Sequence, residues 1–231
     1  MKHLLLLHGA LGAKSQFKEL LAIPGNFHVH ALNFSGHGGT DFPAGEFSME
    51  LFANDVLKYM DKERIESVSI FGYSMGGYVA MYLAKYHPGK VENVITLATK
   101  FHWDVTIAEK EAKMLDPQVM EQKIPAFAKQ LQERHAPQDW KKVVEGTRKL
   151  LITLGAKNTL TIEDFKTITT PSLLLLGDRD KMVTLDETVA VYKNLSAGQL
   201  GIIPATPHPF ELANAQLLAG YINRFIYQPI P

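Results

Sequence analysis

The feature that most constrains this chain is the hexapeptide Gly72-Tyr73-Ser74-Met75-Gly76-Gly77. An apolar run over 67–71 precedes it, and a run of helix-forming residues over 78–84 follows it. This order predicts a serine at a tight corner between a β-strand and an α-helix, the arrangement known as a nucleophile elbow. Side chains at the two flanking glycines, 72 and 76, would collide with neighbouring backbone. Ser74 is therefore expected to adopt a strained conformation that exposes its hydroxyl.

Composition limits the classes of protein to consider. The 231 residues, of which 46% are hydrophobic, are enough for one globular domain with a sizeable core. Lys plus Arg and Asp plus Glu both total 24, so charge does not argue for nucleic acid or an acidic membrane surface as a partner. The absence of cysteine excludes disulfides, thiol catalysis and cysteine-ligated metal. The apolar runs are too short for a membrane span or a signal peptide, which predicts a cytoplasmic protein.

Apolar runs and helix-like segments alternate along the chain. Strands are predicted at 3–7, 27–33, 67–71, 91–98, 171–177 and 199–203, and helices at 15–21, 48–62, 78–84, 185–195 and 210–226. The first and fifth strands are continuously apolar, which is typical of strands buried on both faces of a parallel sheet. The pattern predicts an α/β fold with right-handed crossovers and helices on both faces of the sheet.

One segment breaks this alternation. Residues 101–168 show helical patterning without a convincing strand, which predicts three or four helices inserted as a lid. The core would then comprise residues 1–100 and 169–231. The large apolar side chains of the insertion fit packing onto the core and lining a pocket equally well.

Chemically useful side chains follow three of the predicted strands. Ser74 follows the third strand, Asp178 and Asp180 follow the fifth, and His208 follows the sixth. The carboxyl ends of parallel strands share one edge of the sheet, so these groups are expected to converge there. A hydroxyl, a carboxylate and an imidazole are the groups that nucleophilic catalysis requires. His37, in a glycine-rich loop, is interpreted as a residue that shapes the loop, because His208 is better placed to act as a base.

The turn after the first strand, His8-Gly9-Ala10-Leu11-Gly12, is the candidate for anion stabilisation. Gly9 lets the backbone approach the site, so that the N–H of Ala10 can point at a developing negative charge. A turn between a strand and a helix needs a glycine in any case, which is the alternative explanation.

These motifs together resemble the α/β-hydrolase superfamily, as a small serine-esterase-like member with a helical lid. The resemblance rests on the turns at 8–10, 36–38, 72–76 and 177–180 and on His208, and it covers the chain outside the insertion. It implies Ser74 as nucleophile, His208 as general base and then acid, and Asp180 as the residue that orients the imidazole. It also implies an oxyanion hole formed by the backbone N–H groups of Ala10 and Met75.

The resemblance favours Asp180 over Asp178, because in similar enzymes the acid stands third after the glycine, here Gly177. Asp104 is a more distant candidate. The first strand corresponds to the third strand of relatives, which predicts six strands, all parallel, in the order 2-1-3-4-5-6. Pro207 replaces the glycine that commonly precedes the histidine, so His208 is expected to lie in a stiff loop.

Three functions are compatible with this pattern. The first is a serine hydrolase that cleaves a carboxylic ester of a small to medium substrate without a metal or other cofactor; a serine nucleophile disfavours dehalogenase and epoxide-hydrolase chemistry. The second is a lyase or carbon–carbon hydrolase with the same triad, similar to the small lyase of menaquinone synthesis but disfavoured by Tyr78 after Gly77. The third is a catalytically silent receptor or scaffold. The sequence leaves the oligomeric state open, and the residues expected to line a substrate pocket are Leu11, Phe101, His102, Trp103 and Met182.

Overall fold

The fold is built on one six-stranded parallel sheet. A computed structural model describes residues 1–21 and 27–227. The spatial order of the strands is β2-β1-β3-β4-β5-β6, and every neighbouring pair is parallel. The predicted α/β fold, the all-parallel sheet and its strand order are therefore confirmed. The strands are β1 (Lys2–Leu7), β2 (Phe27–Ala31), β3 (Val68–Tyr73), β4 (Val91–Leu97), β5 (Ser172–Gly177) and β6 (Gly198–Ile203).

Helices connect the strands and surround the sheet. In the described segments they are α1 (Lys18–Leu21), α2 (Met49–Glu63), α3 (Met75–Tyr86), α4 (Val105–Ala112), α5 (Pro117–Lys123), α6 (Pro125–His135), α7 (Trp140–Ala156), α8 (Ile162–Lys166), α9 (Leu185–Tyr192) and α10 (Ala215–Tyr227). Short 3-10 helices occupy Lys14–Phe17, Pro88–Lys90 and Phe210–Leu212. None of the helices described here is long and apolar enough to cross a bilayer.

The insertion between β4 and β5 contains more helices than expected. The sequence predicts three or four, whereas α4 to α8, hereafter the inserted helices, are five. Pro125 explains one of the extra boundaries. Its ring fixes φ and it has no N–H, so it cannot continue α5 but is well suited to the first position of α6.

Two predicted helices open with a 3-10 turn. The segment at 15–21 divides into a 3-10 turn followed by α1. The segment at 210–226 likewise opens with a 3-10 turn, and α10 starts only after Asn214, whose side chain accepts a hydrogen bond from the N–H of Leu217. The capping residue predicted for α2 is confirmed, since the Ser48 hydroxyl accepts the N–H of Leu51 at 3.0 Å.

Both faces of the sheet are buried. In β1, Leu5 and Leu7 join one hydrophobic cluster while Leu4 and Leu6 join another, and all four side chains are buried. Full burial of each such side chain contributes about 2 kcal/mol of hydrophobic free energy. The first cluster continues into the inserted helices, including Leu131 and Val143. The inserted helices therefore pack against the core at the carboxyl edge of the sheet, where the candidate site lies.

Candidate active site

The turn between β3 and α3 has the geometry of the predicted elbow. Ser74 has φ 51° and ψ −116°, a backbone conformation that non-glycine residues rarely adopt. A Cβ atom at Gly72 would overlap the backbone of Gly76, and one at Gly76 would overlap the carbonyl of Leu7. The Ser74 N–H donates to the carbonyl of Leu97 at 2.8 Å, so the neighbouring strand holds the turn in place.

Asp180 and His208 form a hydrogen-bonded pair at the same edge of the sheet. The imidazole Nδ1 lies 2.8 Å from Oδ2 of Asp180, whose side chain is only 1% exposed. The other carboxylate oxygen, Oδ1, accepts the N–H groups of Met182 at 2.8 Å and Val183 at 2.9 Å. These backbone donors fix the orientation of the carboxylate, and the carboxylate in turn fixes the orientation of the imidazole.

The surroundings keep the Asp180 carboxylate ionised. Burial alone would raise the pKa of this carboxyl, but the hydrogen bonds from His208, Val183 and Met182 outweigh it and hold the pKa below its usual value. A negative carboxylate at Nδ1 favours the imidazole tautomer with its proton on that nitrogen. The second nitrogen, Nε2, is then free to accept a proton.

Tyr73, immediately before the serine, holds the backbone of His208, the candidate base, a contact that our sequence reasoning missed. Its hydroxyl donates to the backbone carbonyl of His208 at 3.0 Å, and its ring lies 5.6 Å from the imidazole. Burial raises the pKa of this phenol, so it is a neutral donor. Its position in the elbow is a signal that could have drawn attention to it.

The Ser74 hydroxyl and the His208 imidazole line one cavity. No hydrogen bond joins them within the described part of the chain, where Asp180 is the imidazole's hydrogen-bonding partner. Hydrogen bonds between a nucleophile and its base are often long in enzymes without substrate and tighten in the complex.

The candidate oxyanion turn is held by the inserted helices. The carbonyl of Leu11, next to Ala10, accepts hydrogen bonds from Arg134 Nη1 and from His135 Nε2, both at 3.1 Å. Leu11 itself has φ 56°, so this turn also needs tertiary support. Met75 is the first residue of α3, and its N–H therefore has no partner within the helix. Nothing in the sequence near residue 134 indicated a link to a turn 123 positions away.

The cavity above Ser74 has a volume of about 390 Å³ and a mainly apolar wall. The core contributes Ala10, Leu11, Met75 and Met182, and the loop before α4 contributes Trp103. Much of the remaining wall comes from the inserted helices and the turns between them, including Met114, Leu115, Met120, Ile124, Phe127, Leu150, Leu151 and Leu154.

Two residues predicted to line this pocket lie elsewhere. Phe101 is 2% exposed and packs in the core against Tyr78 and Phe165, which keeps its ring away from the cavity. His102 points to solvent, with Nε2 3.6 Å from the Asp104 carboxylate. The prediction for these two positions is corrected, since of residues 101–103 only Trp103 lines the cavity.

The rival acids have other roles. Asp178 accepts the N–H of Thr206 at 3.3 Å and lies 3.7 Å from Arg179, which fits the turn role considered for it. Asp104 caps α4 by accepting the N–H of Ile107 at 2.7 Å. Neither carboxylate contacts His208 in the described structure.

Three buried histidines lie beneath the oxyanion turn. His8 contacts the Gly9 carbonyl and the Phe34 N–H through its two ring nitrogens, and His135 contacts the Leu11 carbonyl and the Gly38 N–H. Each of these imidazoles therefore donates one hydrogen bond and accepts one, which only the neutral form can do. His37 lies between them, with ring centroids 5.2 Å from His8 and 5.7 Å from His135. Its Nδ1 contacts the carbonyl of Ser35, and its buried Nε2 has no partner in the described structure.

Burial is the main reason why these imidazoles stay neutral. It lowers the pKa of His8 to about 3 and that of His135 to about 4, and it lowers the pKa of His37 well below the usual value. The positive charge of Arg134 acts in the same direction on His8 and His135. The interpretation of His37 as a residue that shapes its loop fits this burial.

These histidines predict loss of stability in weak acid. Below about pH 6.5 the unfolded chain gains a proton at each imidazole, whereas the folded chain gains none until about pH 4. The contribution of these histidines to the free energy of unfolding is thus fully present above about pH 6.5. As the pH falls below that value, each histidine lowers the free energy of unfolding by about 1.4 kcal/mol per pH unit. We expect the free energy of unfolding, measured by urea denaturation between pH 6 and 5, to show this dependence on pH. His37→Phe should reduce the slope by about one proton; an equal slope in this variant and in the wild type would contradict the prediction.

Comparisons with known proteins agree with the fold. The chain belongs to the alpha/beta hydrolase fold family, whose model matches residues 2–148. It is 25% identical to the pimeloyl-[acyl-carrier protein] methyl ester esterase of Neisseria meningitidis serogroup C, over 98% of this chain and 94% of that protein. Among solved structures, the enol-lactonase of Burkholderia xenovorans LB400 superposes with a TM-score of 0.78 at 18% identity, covering 98% of this chain and 92% of that one. A thermophilic esterase from Thermogutta terrifontis gives the same TM-score and identity, covering 98% and 89%.

The family assignment makes this chain an enzyme of the hydrolase type or one with a related activity. Among the described residues, no group of three or more His, Asp or Glu side chains could hold a metal ion.

Proposed function

We propose that this protein is a serine hydrolase that cleaves a carboxylic ester through an acyl-enzyme. The observation that carries the proposal is the Asp180–His208 hydrogen bond of 2.8 Å at the cavity that also holds Ser74 on its strained turn. A hydroxyl is a weak nucleophile on its own, and an imidazole oriented by a carboxylate is what activates it.

The proposed reaction has two stages. The Ser74 hydroxyl attacks the ester carbonyl while Nε2 of His208 takes its proton, and the N–H groups of Ala10 and Met75 stabilise the oxyanion. The protonated imidazole then gives the proton to the departing alcohol. A water molecule, deprotonated by the same nitrogen, attacks the acyl-enzyme; the imidazolium then returns the proton to the Ser74 oxygen as its bond to the acyl carbon breaks and the acid leaves. Asp180 stays ionised and stabilises the imidazolium in both stages.

Because the wall of the cavity is mainly apolar, we propose that the acyl group of the substrate fills it. The methyl ester esterase activity of the Neisseria relative points in the same direction. We further propose that the inserted helices, within residues 101–168, act as a lid, since their side chains form much of this wall.

The lyase alternative has less support. Lys100 and Arg134 both line the cavity, but each already pairs with a carboxylate, Glu187 and Glu211 respectively, at 3.2 Å. Tyr78 is engaged with Asn158 and the N–H of Leu160. The cavity therefore offers little free positive charge to a multiply anionic substrate.

A fluorophosphonate probe tests the proposal directly, because it phosphonylates only an activated serine hydroxyl. We expect stoichiometric labelling that maps to Ser74 by peptide mass spectrometry, together with hydrolysis of p-nitrophenyl esters of graded acyl length. Prior labelling should abolish the hydrolysis. A protein that neither reacts with the probe nor cleaves any ester would instead fit the silent receptor.

A further inference from the structure

The cavity contains two buried polar side chains that no other described residue satisfies. Glu111 of α4 and Thr147 of α7 both line it, and they are only 8% and 1% exposed. The Thr147 hydroxyl oxygen has no hydrogen-bond partner. The Glu111 carboxylate takes part in none of the side-chain hydrogen bonds or ion pairs of the described chain.

Glu111 differs in this respect from the other charged side chains around the cavity. Lys100 pairs with Glu187, and Arg134 pairs with Glu211. His208 is held by Asp180. Among the charged side chains of this wall in the described structure, the carboxylate of Glu111 is thus the one without a partner.

Glu111 lies on one of two packed helices that border the cavity. Helices α4 and α7 pack directly together, since a Cβ at Gly155 of α7 would overlap the side chain of Ala108 in α4. The other side chains of α7 that reach the cavity, Leu150, Leu151 and Leu154, are apolar. Glu111 and Thr147 therefore bring polar groups to the part of the cavity proposed to hold the acyl group.

A carboxylate that lines a mainly apolar cavity without a protein partner depends on water or on a ligand for its hydrogen bonds. An ionised carboxylate can only accept hydrogen bonds, and a threonine hydroxyl can accept as well as donate. A ligand group that hydrogen-bonds to both side chains is therefore a hydrogen-bond donor.

We propose that Glu111 and Thr147 form a subsite for a hydrogen-bond donor, a hydroxyl or an ammonium group, carried on the acyl chain of the substrate. This inference rests on the proposed function, because it assigns the substrate class of the same cavity. The preferred substrate is then an ester whose acyl chain is apolar near the carbonyl and carries the donor further along.

Kinetics with matched esters test the subsite. The substrates are methyl esters of acyl chains of about six to ten carbons that end in a hydroxyl, an ammonium or a methyl group of similar size. We expect the wild-type enzyme to favour a donor-ended ester over its methyl-ended match by about tenfold or more in kcat/KM. Glu111→Leu should abolish this preference and raise turnover of the methyl-ended ester. Glu111→Gln should retain a preference for the hydroxyl but lose one for the ammonium, which identifies the donor.

The matched control is Glu109→Gln, an exposed glutamate on the same helix, which should keep the wild-type preference. Thermal unfolding separates binding from a structural role. Removing an unsatisfied carboxylate should leave the Tm of Glu111→Leu unchanged or raise it, whereas loss of a structural contact would lower it.

A binding measurement in a catalytically inactive variant tests the subsite independently of ester hydrolysis. In the Ser74→Ala background, calorimetry should show tighter binding of the donor-ended ester than of its methyl-ended match, and addition of Glu111→Leu should remove the difference. If both esters bind equally in that background, the subsite is overturned whether or not the wild-type enzyme hydrolyses esters. If the binding preference is present but no ester is hydrolysed, the proposed reaction fails and the subsite stands.

Discussion

Ser74→Ala is expected to lower kcat for ester hydrolysis by about 10⁴-fold or more, because the acyl-enzyme cannot form without the hydroxyl. The residual rate would come from the oxyanion donors and from binding alone, which Ala10, Met75 and the cavity wall still provide. The measurement is steady-state hydrolysis of a p-nitrophenyl ester, with circular dichroism and thermal unfolding to compare the folds.

The fold should survive this substitution. Alanine keeps the Cβ atom, and the hydrogen bond between the N–H of residue 74 and the carbonyl of Leu97 does not involve the side chain. Ser67→Ala, at the opposite end of β3, is the matched control and should keep wild-type activity. Turnover that persists in a folded Ser74→Ala variant would remove this serine from the mechanism.

Asp180→Asn is expected to lower kcat by about 10⁴-fold with little change of the fold. The asparagine carbonyl can still accept the N–H groups of Met182 and Val183, as Oδ1 does in the native protein. The NH₂ group is then directed at Nδ1 of His208, where the carboxylate oxygen lies at 2.8 Å. An NH₂ donor there requires Nδ1 to be an acceptor, so the imidazole proton moves to Nε2 and the base is lost.

Asp178→Asn is the control for this experiment, because Asp178 contacts Thr206 and Arg179 but not the imidazole. We expect a change in kcat of less than about fivefold, since a side chain outside the reacting groups has little effect on the barrier. A larger loss in Asp178→Asn than in Asp180→Asn would reverse the assignment of the acid.

Much of the fold could be predicted because it depends on turn sterics and on the hydrophobic pattern of single strands and helices. The elbow was recognisable because its glycines stand where a side chain would clash with backbone, that of Gly76 for a Cβ at Gly72 and that of Leu7 for a Cβ at Gly76. The continuous apolar run of β1 indicated burial on both faces, and Leu4 to Leu7 indeed divide between two clusters. The strand order was also predictable, because the alternation of strands and helices, together with the resemblance to a known family, left few topologies.

Other features could not be read from local patterns. The number of inserted helices was underestimated, because Pro125 starts a new helix directly after Ile124, with no loop between α5 and α6 to mark the boundary. No local pattern shows that Phe101 packs in the core and His102 faces solvent while Trp103 lines the cavity. Their real directions depend on the turn that the backbone takes after β4.

The sequence by itself determined the sheet and the elbow, which follow from hydrophobic periodicity and from steric limits in a tight turn, and the resemblance to a known family implied the roles of the candidate catalytic groups. Only the tertiary structure decided that Tyr73 holds the backbone of His208, that Arg134 and His135 hold the turn at Leu11, and that Glu111 faces the cavity unpaired. The first two contacts join residues more than a hundred positions apart. Such contacts depend on how the inserted helices and the last loop pack over the sheet, and no local pattern encodes that packing.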